Sequence, residues 1–244
     1  MQNDLKTNEW TLITGGAKGL GAELCLYLAS RGHNILIHYN KSHTEALRIA
    51  SECKDLRVNA EIIQGDFSSI DKIHEFTSRL KLHHSPIANL VNNVGNYIVE
   101  SILETTIEQW SDLFHTNLHA PIALINALLP SIKNSKGAIV NLGVVGINHI
   151  PADLYATAYT ASKLSLLLAT KSYAKALVKD GVRVNMVSPG MLENSIDRPS
   201  NNSILPMGRP GTLREVARLV SFLLDKENSY ITGQNIEIAG ALRL

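Results

Sequence analysis

A tyrosine and a lysine stand four residues apart in Tyr159-Thr-Ala-Ser-Lys163. On a helix, residues at that spacing share a face. An ammonium beneath a phenol favours the phenolate and draws its pKa from about 10 toward neutrality. Tyr159 would then donate a proton to a carbonyl, or accept one from an alcohol, near working pH. Lys163 could at the same time hydrogen-bond a ribose hydroxyl. Such a pair also arises by chance, so its meaning depends on what the rest of the chain places around it.

The stretch Thr11-Leu-Ile-Thr-Gly-Gly-Ala-Lys-Gly-Leu-Gly21 begins as an apolar, β-branched run and leads into Glu23-Leu-Cys-Leu-Tyr-Leu-Ala29, which suits a helix. A strand that turns tightly through glycine into a helix leaves unpaired N–H groups and the positive end of a dipole facing outward, a site for a phosphate or pyrophosphate. Gly15, Gly19 and Gly21 would let the backbone approach that ligand, with Lys18 and Leu20 between them. An ordinary strand-to-helix turn shows the same pattern. About twenty residues on, where an acidic residue would grip a ribose 2′-hydroxyl, the chain reads Tyr39-Asn-Lys-Ser42. No Asp or Glu occurs between Glu23 and Glu45. Asn40, Lys41 and Ser42 offer a cation and donors for a 2′-phosphate, and Lys18 is a second cation aimed the same way. NADPH/NADP is therefore favoured over NAD. Asp66, in Gln64-Gly-Asp-Phe67, could accept from an adenine amino group or start a helix. Asn92 and Asn93, before Gly95, could bond neighbouring strands or a cofactor ribose.

These residues need a scaffold, and the patterning supplies one. Strands are expected near Thr11–Thr14, Asn34–Tyr39, Ala60–Gln64, Ala88–Asn92, Ala138–Leu142, Val182–Val187 and Asn235–Ile238. Helices are expected near Leu20–Arg31, Thr44–Cys53, Ser69–Leu82, Gln109–Ser131, Ala158–Lys179 and Thr212–Leu224. Alternation of this kind makes an α/β fold, a parallel sheet with helices on both faces. A length of 244 residues fits a single domain over 1–244. The proline-containing stretch Pro189–Gly211 reads as a flexible substrate lid. A net charge of +1 and the absence of a Lys/Arg block argue against nucleic acid. No apolar run is long enough for a membrane span, and Met1–Glu9 is too polar for a signal peptide. Cys25 and Cys53 read as reduced thiols of a cytoplasmic protein.

Taken together, Thr14-Gly-Gly-Ala-Lys-Gly-Leu-Gly21, Asp66, Asn92-Asn-Val-Gly95, Asn117, Tyr159-Thr-Ala-Ser-Lys163 and Ser188-Pro-Gly190 resemble the short-chain dehydrogenase/reductase family over essentially the whole chain. Among its members, 3-oxoacyl-carrier-protein reductases look most similar, and His38-Tyr-Asn-Lys-Ser42 also looks like pteridine reductases. The resemblance implies a Rossmann-type doubly wound parallel sheet of seven strands in the order 3-2-1-4-5-6-7. It implies that Asn117 holds a water in a proton relay with Lys163 and Tyr159, and that Pro189, Gly190 and Met191 face a nicotinamide. It places Phe67 with Asp66, and Asn93 with Gly95, along the cofactor; Asn194 stands where a Thr is usual.

One departure stands out. The family normally has a Ser after the fifth strand, and the position that aligns with it here is Val144, in a segment about two residues longer than usual before Tyr159. Valine cannot donate to a developing alkoxide, and losing one such donor typically costs about 10²–10³ in turnover. Tyr155, Asn148 and His149 are candidate substitutes, though each could equally pack or line the pocket. His115 and His119 have helical i, i+4 spacing without an HExxH carboxylate, so no metal is expected. Arg198 and Arg209 could meet an acidic substrate but read more simply as solvated. Ser165 has no nucleophile-elbow context. The helix Ala158–Lys179 carries Leu164, Leu166, Leu167, Leu168 and Ala169 on more than one face, which suggests a homo-oligomer, dimer or tetramer. The leading expectation is an NADPH-dependent reductase of a small-molecule carbonyl. A pteridine reductase and a catalytically attenuated NADP(H)-binding protein are the alternatives.

Overall fold

Apolar, β-branched segments such as Asn34–Tyr39 and Ile87–Asn92 cannot be satisfied by one covered face, and every residue of both is buried. A computed structural model, describing residues 9–149 and 152–243, shows how they are covered. Seven strands, β1 (Trp10–Ile13), β2 (Asn34–Tyr39), β3 (Ala60–Gln64), β4 (Ile87–Asn92), β5 (Ala138–Leu142), β6 (Arg183–Pro189) and β7 (Asn235–Ile238), form one sheet. Their order is β3-β2-β1-β4-β5-β6-β7, and all neighbours run parallel. This is the expected fold class and order.

Period-two alternation sends successive residues to opposite sides of the sheet. Ile13, Ile35, Ile37, Val91 and Val140 pack under α1 (Gly19–Ser30), α2 (His43–Asp55) and α7 (Leu213–Leu224). Leu12, Leu36, Leu90 and Ile139 pack under α3 (Ile70–Leu80), α5 (Ala120–Ser135) and the end of α6 (Thr157–Leu177). Cys25 and Cys53 are both buried in the first of these layers, as free thiols.

One sequence expectation is corrected. The helix expected near Gln109–Ser131 is not continuous: α4 (Ile107–Phe114) passes through a π-helical turn, His115–His119, into α5. The extra residue in that turn is where Asn117 sits, and such bulges concentrate at functional sites. The segment 189–211 is pinned at its base. A bridge joins Leu192 to Gly211, and Gly211 N–H donates to the Met191 carbonyl at 2.9 Å. Among the described residues, no helix is long and apolar enough to cross a membrane.

Candidate active site

The glycine turn lies at the carboxyl end of β1. Gly15 and Gly19 have φ of +65° and +52°, a region that penalises a side chain. A Cβ on Gly21 would lie 2.0 Å from the Gly15 carbonyl oxygen, so α1 can start against the turn only through glycine. Lys18 occupies the N-cap of α1 without a side-chain cap, and the first turn has no acidic residue. The N–H groups there stay available to an anion. The cradle thus fits a pyrophosphate on its own geometry.

A buried histidine fixes this turn. His38, at the end of β2, accepts from the Gly15 N–H through Nδ1 at 3.1 Å, which places its proton on Nε2, 3.1 Å from the Gly65 carbonyl. Its ring stacks on Phe67 at 4.4 Å. Burial pushes its pKa down to about 4, only partly opposed by the Gly65 hydrogen bond, so the ring is neutral at physiological pH. The sequence shows His38 only as part of a motif; its bonds to Gly15 and Gly65 join residues far apart in the chain.

At the adenosine end, four of the candidates already hold protein partners. The Lys18 ammonium lies 2.8 Å from Glu45 in an exposed ion pair. Tyr39 is buried, with its hydroxyl 2.6 Å from His43 Nδ1. Phe67 is buried beneath His38, so its ring belongs to the scaffold. Asp66 pairs with Lys72 at 2.7 Å and accepts from the Ser68 N–H, and the Lys72 hydrogen bond holds its carboxyl below the usual range. Ser69 is the actual cap of α3. Asn40 and Lys41 remain exposed beside this edge, with Ser42 at the N-cap of α2.

Asn93 holds strands together: its side-chain amide donates to the Thr14 carbonyl at 2.9 Å, while its own N–H donates to Thr14 Oγ1 at 2.8 Å. Asn92 donates to Asn141, and Asn141 to Thr170, each at 2.8 Å. Both asparagines thus bond neighbouring elements, one of the two alternatives open from sequence. Asn117 donates to the Asn96 carbonyl and to Ser162 Oγ, each at 3.0 Å, and accepts from the Asn96 N–H at 2.8 Å. It clamps the segment after β4 against α6.

A cavity of about 410 Å³ opens at the carboxyl ends of β4, β5 and β6, with Tyr159, Lys163, Val144, Tyr97, Asp153 and Asp197 in its wall. Leu20, Asn93, Gly95, Pro189, Gly190 and Met191 line it too, so the structure gathers the candidates from both halves of the chain. Asn194, also in the wall, has its amide 2.9 Å from where a Cβ on Gly19 would sit, which joins this cavity to the phosphate cradle. Lys163 is buried, donates to the Leu142 carbonyl at 2.8 Å, and lies 5.8 Å from the centre of the Tyr159 ring. A Cβ on Gly95 would approach its Nζ to 3.1 Å, so glycine leaves that ammonium room.

The expected electrostatics are corrected here. Burial, reinforced by Tyr97 and Asp197, pushes the Tyr159 phenol above its ordinary value rather than toward neutrality. Burial also pulls Lys163 down to about 8. The ammonium lies 5.8 Å from the ring centre, and desolvation outweighs the expected charge effect. A protonated phenol is the form that donates to a carbonyl.

Val144 does line the cavity, and the three candidate substitutes do not. Asn148 donates to Glu237 at 3.1 Å and accepts from Asn235 at 3.2 Å, which turns it toward β7. Tyr155 is 63% exposed, and with His149 it lines an adjoining hollow. The phenol that does face Tyr159 is Tyr97: the rings meet edge-on at 4.7 Å, and the Tyr97 hydroxyl donates to Asp197 at 3.4 Å. Nothing in the spacing of residue 97 marks it. Arg198 and Arg209 lie elsewhere. Arg209 makes a bidentate pair with Glu215 at 2.7 and 2.9 Å, and Arg198 reaches Asn202 and the Glu193 carbonyl.

Residues 15–241 match a family model described as Enoyl-(Acyl carrier protein) reductase. The chain belongs to the short-chain dehydrogenase/reductase family, and is therefore an NAD(P)-dependent oxidoreductase. It is 29% identical to the putative oxidoreductase YtkK of Bacillus subtilis (strain 168), over 96% of each chain. It is 28% identical to the 3-oxoacyl-[acyl-carrier-protein] reductase FabG of Staphylococcus epidermidis, over 96% of this chain and 99% of the relative. Among solved structures it is similar to a blue fluorescent protein from a metagenomic library in complex with NADPH. The TM-score is 0.87 and the identity 26%, covering 95% of this chain and 96% of that one.

Proposed function

We propose that this protein, acting as one domain, reduces a small-molecule carbonyl, a ketone or 3-oxoacyl thioester, with NADPH. The cofactor, when bound, supplies the hydride. Gly15, Gly19 and Gly21 admit its pyrophosphate to the open end of α1, and exposed Lys41 with Asn40 and Ser42 meets the 2′-phosphate. Pro189, Gly190 and Met191 form the wall against which the nicotinamide lies. Tyr159 gives its proton to the carbonyl oxygen as the alcohol forms, and Lys163 stabilises the phenolate left behind. Asn117 holds the loop after β4 that carries Gly95, and so keeps Lys163 in place. The NADPH complex of the similar metagenomic protein and the 3-oxoacyl substrate named for the Staphylococcus relative support this choice.

The observation that carries the reading is the single cavity shared by Tyr159, Lys163 and the Pro189–Met191 wall. Tyr97 supplies the second hydrogen bond that Val144 cannot, because its ring packs edge-on against Tyr159 in the same cavity. A homo-oligomer in the cytoplasm completes the proposal. NADPH consumption over a panel of ketones, 3-oxoacyl thioesters and dihydropterins tests it. Turnover of a ketone or thioester supports the reading; turnover of dihydropterin alone favours a pteridine reductase. Tight NADPH binding with no turnover, restored by Val144→Ser, would show an attenuated binding protein instead.

A further inference from the structure

At the amino ends of the strands, on the side of the sheet opposite the catalytic cavity, three metal-ligating side chains converge. Glu61 comes from edge strand β3, and His83 and His84 from the turn between α3 and β4. One ligand atom from each lies within 4.8 Å of the other two. His83 Nε2 is 3.5 Å from Glu61 Oε2, and His84 Nε2 is 3.4 Å from Glu61 Oε1. Tetrahedral zinc with bonds of about 2.0–2.1 Å separates its ligand atoms by about 3.3–3.4 Å. Each histidine nitrogen stands at about that spacing from one of the two Glu61 oxygens.

His83 supplies an independent sign. Its side chain is 8% exposed, and its Nε2 is buried with no hydrogen-bond partner. Its Nδ1 lies 2.9 Å from the Ser85 carbonyl, which only accepts, so Nδ1 carries a proton and Nε2 faces the carboxylate. The Ser85 N–H approaches the same Nδ1 at a longer 3.3 Å. Two acceptors facing each other are unfavourable unless a metal ion or a second proton sits between them. A carbonyl fixing the far nitrogen is also the usual support for a ligating histidine. Trp10 closes one side, its ring edge-on to His83 at 5.3 Å and to His84 at 6.2 Å. A solvent-open hollow bordered by Glu61 and His84 leaves an entry path.

We propose that Glu61, His83 and His84 form a binding site for a divalent transition cation of the zinc class, with water completing the tetrahedron. The site would fasten edge strand β3 to the turn leading into β4, well away from the reacting carbonyl.

Tag-free protein stripped with a chelator and titrated calorimetrically with Zn²⁺ tests this, with Co²⁺ absorption as a second reading. One equivalent should bind per chain, with the visible band of tetrahedral Co²⁺. Glu61→Gln, a near-isosteric change, and His84→Ala, at an exposed position, should each weaken binding by at least about tenfold. No binding would mean that a protonated imidazole holds the carboxylate, and would overturn the proposal. Binding that is unchanged in both variants would place the metal elsewhere and overturn it equally.

Discussion

Tyr159 and Lys163 are each perturbed by burial, and the shift at Tyr159 suits reduction. The phenol keeps its proton to give away, and the lysine is held at about 8, so its ammonium is lost as pH rises through that value. Reductase turnover should therefore fall above about pH 8. Lys163→Arg, whose guanidinium stays charged (pKa above about 12), should remove that limb of the pH–rate profile even where the absolute rate drops. His38 gives a second pH effect, this time on stability. Its folded pKa of about 4 lies below the unfolded value of about 6.5. Between those values the unfolded chain binds more protons, so stability falls as pH drops from about 6.5 to 4, by on the order of 3 kcal/mol in all. Urea midpoints measured across that window should show the loss, and His38→Asn, which cannot titrate, should flatten it. At the second phenol, Tyr97→Phe should cost about 10²-fold in turnover, the scale of one lost donor. The same change made on top of Val144→Ser should cost much less; equal losses in both backgrounds would show that Tyr97 only packs.

At the scale of elements, two glycines separate folding from chemistry. A Cβ at Gly21 would meet backbone atoms of Gly15, which cannot move without opening the strand-to-helix turn. Gly21→Ala should lower thermal stability and weaken NADPH binding together, as an overpacked site does. A Cβ at Gly95 would meet the flexible end of Lys163, so Gly95→Ala should leave melting nearly unchanged while lowering turnover. Thermal melts beside initial rates distinguish the two. These elements also show what the chain discloses by its sequence alone. Strand alternation and glycine spacing are local, so the parallel sheet and the glycine turn were legible; the strand order followed only from the family resemblance. The bonds from His38 to Gly15 and Gly65, the Lys18–Glu45 pair, the burial of Phe67 and the edge-on Tyr97 are products of tertiary packing, and no spacing rule contains them. The π-helical turn was missed for a related reason: an inserted residue leaves the apolar period almost unchanged. The pull of Lys163 on Tyr159 was misjudged because i, i+4 spacing fixes a shared face, not the distance from ammonium to oxygen or the cost of burying both.

For the whole molecule, α4 and α6 leave apolar side chains uncovered, with Ile107 72% and Leu168 68% exposed. A second copy of the chain is the covering partner the account expects. Leu168→Glu should shift the species seen by light scattering toward the monomer; an unchanged mass would remove that helix from the interface. The cavity itself joins the glycine half of the chain to the tyrosine half, and the central claim is that Tyr159 delivers a proton where a nicotinamide delivers hydride. The direct measurement is NADPH oxidation with the best carbonyl of a panel, for wild type and Tyr159→Phe, each with its NADPH affinity titrated. Matched affinities are expected, with a turnover lower by about 10² or more in the variant. Equal turnover in the two proteins would contradict it.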